Sequence, residues 1–243
     1  MDDDLPPGLG LLWGRLDHPV PEPKAGLSLD RIAQAAVELA DAGGLEAVSM
    51  ARVAERLGFT TMSLYRHVKS KHELLLLMLD SVAAVPAELD EPCDDWRLGL
   101  QRWCRAQWEM LRAHTWIVHL PITGPPLTPS QLAWTDRALA ALHGTGLSEG
   151  DKAGVVLLVA NYMHTTARLS ADLGPAASSE SVAAYSTLLG SLVDGRRFPA
   201  LRTAVDAGAF DYPPGTPAEE RGFDYAFGLA RILDGVECLI RPS

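Results

Sequence analysis

No apolar run in this 243-residue chain exceeds six residues, the length of the stretch from Leu74 to Leu79. A membrane-spanning helix needs about 20, so none is expected. Cysteine is scarce. Cys93, Cys104 and Cys238 are odd in number and lack metal-ligand spacing, which points to reduced thiols rather than a disulfide frame. The chain opens Met1-Asp2-Asp3-Asp4, without the positive charge of a signal or transit peptide, and a cytoplasmic location is expected. Positive charge is also short overall: 21 Lys and Arg stand against 31 Asp and Glu, a net charge of −10. Catalytic signatures are missing too. There is no H-E-x-x-H, no phosphate-binding loop, no dinucleotide fingerprint and no Cys/His metal spacing, so no metal or cofactor is expected.

The charge deficit is uneven. Residues 52–72 carry Arg52, Arg56, Arg66, Lys69 and Lys71 against the single acid Glu55. A basic module on an acidic body can meet phosphates while the bulk resists adhesion.

Hydrophobic periodicity is helical throughout. Pro6, Pro7, Pro19, Pro21 and Pro23, with Gly8, Gly10 and Gly14, mark residues 1–26 as a flexible tail with one apolar spot at Leu11-Leu12-Trp13. Ser28 opens a helix whose Leu29, Ile32, Ala36, Leu39 and Ala40 share a face, and Gly43-Gly44 closes it. Ser49 caps a short second helix that stops at Gly58. Thr60 or Thr61 caps a third, and Ser70-Lys71-His72-Glu73 reads as a capping box opening a connecting helix over about 70–85. Further helices are expected near 94–115, 129–143, 151–172, 179–194 and 199–207. Thr216-Pro217-Ala218-Glu219 launches a last one reaching about Ile240. The fold class is all-α: a three-helix helix-turn-helix unit over 27–73 and a helical bundle over 86–243.

Two short helices around a glycine turn follow the helix-turn-helix plan, whose second helix enters the major groove of DNA. Thr60, Thr61 and Ser63 supply hydroxyls, and Met62 suits a thymine methyl. Tyr65, His67, Lys69 and Lys71 add an aromatic hydroxyl and cations for the backbone. Spacing alone is equally compatible with a small bundle carrying a solvated basic face.

The combination of Ile32, Ala36, Leu39, Gly44, Ser49-Met50, Val53-Ala54, Leu57-Gly58, Met62-Ser63-Leu64-Tyr65-Arg66-His67-Val68 and Lys71 resembles the DNA-binding domain of TetR-family transcriptional repressors over residues 28–79. The likeness is strongest to the tetracycline-repressor branch, and the last helix shares it. The resemblance implies base reading by Thr61, Met62 and Ser63, and backbone or groove-edge contact by Tyr65, His67 and Lys71. It also places Met50 where the second helix touches DNA. Ala51 departs from the pattern, where arginine is common. Residues from 86 onward would bind a small-molecule effector and dimerise.

Five of the six tryptophans fall within residues 96–134, as a pocket wall or as core. Candidate ligand contacts are Trp103, Gln107, His114, Asn161, His164 and Arg168. The polar stripe from Asn161 to Arg168 suits a pocket and a dimer interface equally. Phe223, Phe227 and Leu233 are interface candidates on a last helix that is apolar on more than one side. The expected protein is a homodimeric repressor on a pseudo-palindromic double-stranded operator, released by a small, largely apolar effector. The alternatives are a helical small-molecule-processing enzyme with a vestigial helix-turn-helix, and a DNA-binding protein that answers to no ligand.

Overall fold

A computed structural model describes residues 6, 8–17, 26–122, 124–173, 179–211 and 225–241. Among these residues there are helices and turns and no strand. Eleven α-helices follow in order: α1 Leu9–Asp17, α2 Leu29–Gly43, α3 Met50–Leu57, α4 Thr61–Tyr65, α5 Lys71–Val82, α6 Trp96–Ala113, α7 Pro129–Ala141, α8 Glu149–Leu173, α9 Ser179–Leu192, α10 Pro199–Asp206 and α11 Ala226–Ile240. Short 3-10 turns occupy Leu45–Ala47, Ala87–Leu89 and Thr115–His119.

The N-terminal unit is built by local capping chemistry. The hydroxyls of Ser28, Ser49 and Thr60 accept from the backbone N–H groups of Arg31, Arg52 and Ser63, at 3.2 Å each. Gly58 ends α3 at φ 75°, ψ 26°, a left-handed conformation that only glycine adopts without strain. Its N–H bonds to the Glu55 carbonyl and that of Phe59 to the Ala54 carbonyl, a pairing that reverses the chain between α3 and α4. Ser70 caps α5 as expected, but the Glu73 carboxylate accepts from the Lys69 N–H, one residue before the N-cap. The buried side chains Ile32, Ala36, Val53, Leu64, Val68 and Leu74 pack α2 to α5 into one body.

The expectation of an irregular N-terminal tail is corrected. Residues 9–17 form α1, with Leu9 and Leu12 buried against the core. A nine-residue helix is marginal alone. Packing of its apolar face on the protein supplies what local propensity cannot.

In the C-terminal body α6 is central, packed against α7 and α8. Leu100, Trp103, Cys104, Trp108 and Leu111 point inward at helical spacing. Leu229, Leu233 and Val236 fix α11 on the body. Tyr162 of α8 donates its hydroxyl to the Tyr225 carbonyl at 3.0 Å, beside Gly228. The expected capping box at 216–219 and Phe223 lie outside the described residues.

Candidate nucleic-acid interface and ligand site

Leu64 is the anchor of α4: fully buried, it turns the rest of that helix outward. Met62 is 70% exposed and Tyr65 45% exposed, both large apolar surfaces held in solvent. His67, Lys71, Arg66 and Lys69 are exposed in the same stretch, and Thr61 and Ser63 are partly exposed. The Thr60 and Ser63 hydroxyls lie 2.9 Å apart and bond to each other, so one proton between them remains to be offered outward. Thr60, Thr61, Met62, Ser63, Tyr65, His67 and Lys71 are thus all at least partly exposed, with the exposed cations Arg66 and Lys69 in the same stretch.

Met50 is corrected. It is 6% exposed and belongs to the core of the N-terminal unit, because the first position of α3 faces inward with Val53 and Ala54. Arg56 is committed elsewhere, its guanidinium paired with Glu38 at 2.5 Å.

Four indole N–H groups bridge distant segments. Trp103 donates to the Trp134 carbonyl at 2.8 Å, Trp134 to the Ala83 carbonyl at 2.8 Å, Trp13 to the Leu127 carbonyl at 3.0 Å and Trp116 to Asp41 at 2.7 Å. Trp103, Trp108, Trp116 and Trp134 are buried, so the tryptophan cluster is chiefly core. Trp103 and Trp134 meet edge to face, 5.9 Å apart.

Gln107 behaves differently. Its Oε1 is buried without any hydrogen-bond partner. A buried acceptor left unpaired costs about 1–3 kcal/mol, which a donor from water or a bound molecule recovers. Trp103 also borders a half-open cavity of about 440 Å³, whose wall includes Leu89, Pro92, Arg102, Arg137 and Ala141. The other candidates are dispersed. His114 bonds through Nδ1 to Asp41 at 2.9 Å, which places it at the seam between the N-terminal unit and the body.

Asn161 and Arg168 lie on an exposed face of α8 beside the exposed side chains of Leu157, Leu158 and Leu169. Asn161 donates to the Leu157 carbonyl of its own helix. His164 is half-buried. Burial, then the neighbouring Arg168 and His119, lowers its pKa below the usual 6.5. On α11 Phe227 is 77% exposed, with the Arg231 guanidinium over its ring, whereas Leu233 is corrected to core: it is fully buried within its own chain.

Burial pushes the Cys104 thiol up to about 12, keeping it protonated and unreactive at neutral pH. Among the described residues no group of His, Cys, Asp and Glu is arranged to hold a metal ion, and no helix is long and apolar enough to cross a membrane.

Comparison with known proteins matches residues 32–78 to a family described as bacterial regulatory proteins, tetR family. Residues 88–240 match the tetracyclin repressor-like C-terminal domain. The HTH-type transcriptional repressor DrrR1 of Streptomyces coeruleorubidus is 33% identical over 98% of this chain and 87% of its own length. The tetracycline repressor protein class A from transposon 1721, in Escherichia coli, is 28% identical over 86% of this chain and 90% of its own. Among solved structures, the Streptomyces coelicolor TetR family protein ActR in complex with actinorhodin superposes with a TM-score of 0.73 at 26% identity, covering 90% of this chain and 100% of that one.

Proposed function

Because the chain belongs to the TetR family of bacterial regulatory proteins, we propose that it is a transcriptional repressor that binds a pseudo-palindromic operator as a homodimer and leaves it when a small molecule binds the C-terminal body. The observation that carries this reading is α4. Leu64 is anchored while Met62 and Tyr65 stand in solvent beside uncommitted cations, an arrangement that wastes apolar surface unless a groove receives it. Met62, Thr61 and Ser63 read base edges. Tyr65, His67 and Lys71 hold the backbone, with Thr60 fixing the helix start. Two copies related by a two-fold axis present two such helices about 34–36 Å apart, one DNA turn.

The dimer face we assign to the exposed sides of α8 and α11, where Leu157, Leu158, Asn161, Leu169 and Phe227 lie. That assignment takes Asn161 and Arg168 out of the pocket and into the interface. The effector site we place at Gln107, whose buried carbonyl awaits a donor, with Trp103 and His164 as further candidates. The effector lowers operator affinity only if it binds the DNA-incompetent arrangement more tightly than the competent one. His114, tied to Asp41 of α2, lies on the path between the two units rather than in the pocket.

The test is operator binding by anisotropy on DNA selected by the protein itself from a random pool. Lys71→Ala should weaken binding on all sequences and lower the log–log salt slope by about one. Tyr65→Phe should also weaken all sequences alike. Met62→Ala should instead alter base preference, by about 1–3 kcal/mol at one position. A folded dimer that selects no sequence at low salt would remove the reading.

A further inference from the structure

The helix α1 precedes both segments matched by the family, yet it is docked where the N-terminal unit meets the body. One side rests on α5 and the other on α7. Leu12 joins the core there with Leu11 packed against it, and Leu9 at the start of the helix is buried too. At its midpoint the Trp13 indole donates to the Leu127 carbonyl, two residues before α7 begins. Its entry is equally constrained. Gly8 has φ 93°, and a Cβ there would come within 3.0 Å of the Leu76 Cδ1 of α5.

The seam that α1 spans has its own fastenings. Ser130 at the start of α7 bonds through N–H and hydroxyl to the side chain and carbonyl of Asp80, at 2.9 and 3.0 Å. Trp134 donates to the Ala83 carbonyl just beyond α5. Since α5 packs on α2, and α2 to α4 form one body, the angle across the α5–α7 seam sets where α4 points. In a dimer that angle fixes the separation of the two recognition helices.

We infer that α1 is a strap across the α5–α7 seam, and that Leu9, Leu12 and Trp13 thereby determine which half-site spacing the dimer accepts. This rests on the operator-binding reading above. The physical argument is one of stiffness. Each added base pair moves a half-site by about 3.4 Å and turns it by about 35°. A dimer with a stiff seam pays heavily to follow, whereas one with a loose seam follows at little cost. The strap adds buried contact on both sides of the hinge, and Leu9, Leu12 and Trp13 are not among the residues assigned to DNA, so its loss should act on spacing tolerance rather than on base preference.

The experiment compares full-length protein with two full-length variants, Leu12→Asp and Trp13→Phe. The probes are the palindrome selected by the wild-type protein and the same palindrome with one base pair inserted at its centre. A charge at residue 12 cannot remain in the apolar seam, so α1 should leave it, as faster amide exchange over residues 9–14 would record. The ratio of the two affinities should be large for the wild type and fall roughly three- to tenfold for Leu12→Asp, the change that up to about 1.4 kcal/mol of lost restraint produces. Trp13→Phe, which loses the indole hydrogen bond but keeps a smaller aromatic ring in place, should shift the ratio the same way by less. Should Leu12→Asp fail to fold, Leu9→Ala combined with Leu12→Ala takes its place. An unchanged ratio with α1 released overturns the inference, as does an equal loss of affinity on both probes. If the wild type selects no palindrome, the operator-binding reading falls first and this one with it.

Discussion

Gly228→Ala tests the crossing of α8 and α11 with a sign that reverses on demand. A methyl at residue 228 would lie 2.2 Å from the Tyr162 hydroxyl and 2.5 Å from the ring carbon that bears it. No side chain tolerates such contacts, so Tyr162 must swing away. Overpacking of this kind costs about 1–3 kcal/mol. The hydrogen bond from Tyr162 to the Tyr225 carbonyl is lost with it, about 1 kcal/mol more. Against this stands the helix preference of alanine over glycine, at most about 1 kcal/mol in the first turn of α11 where residue 228 lies. The net expectation is destabilisation of about 1–3 kcal/mol. In a Tyr162→Ala background the obstructing ring and its hydrogen bond are both gone. The same Gly228→Ala change should then stabilise by up to about 1 kcal/mol, from helix preference alone. Urea unfolding of the four proteins at one fixed concentration closes the cycle. Equal effects of Gly228→Ala in both backgrounds would refute the packing argument.

Three other outcomes are expected. Asp41→Ala removes the acceptor of the buried Trp116 N–H and should cost about 1–3 kcal/mol in urea unfolding, while Asp41→Asn, which keeps an oxygen, should cost less. For His164, folding lowers the pKa, so the unfolded chain binds the proton more readily. Its contribution is complete above the ordinary value of 6.5 and is lost as pH falls through the lower folded value. His164→Gln should therefore flatten the stability profile on the acid side of 6.5, and profiles that stay parallel there would contradict the shift. Phe227→Glu should convert the dimer to monomer by light scattering, since it places a charge in the apolar face proposed as the interface.

The N-terminal unit was legible because its determinants are local. Ser28, Ser49, Thr60 and Gly58 each act on backbone within a few residues, and each does so where the sequence marks a boundary. Other features depend on partners far along the chain. Nothing near Asp41 announces that it accepts from Trp116, 75 residues away. In α1 the apolar spot at Leu11-Leu12-Trp13 was visible, but flanking prolines and glycines outweighed it, and only the α5–α7 seam makes the helix worthwhile. Leu233 shows a further limit. A helix apolar on two sides reveals that it is covered twice, not which side its own chain covers. Met50 was misplaced because family position was given weight over its own apolar face with Val53 and Ala54. Gln107, by contrast, stood out on an apolar face in the sequence, and the structure leaves its carbonyl unpaired.

The indole ties have a consequence for how this scaffold can diversify. Trp103, Trp116 and Trp134 each hold a distant oxygen, so exchanging one for another aromatic leaves that oxygen or its segment adrift. A descendant acquiring a new inducer must remodel the spaces between these rivets, starting from positions with an unmet bond such as Gln107, while the rivets themselves stay put.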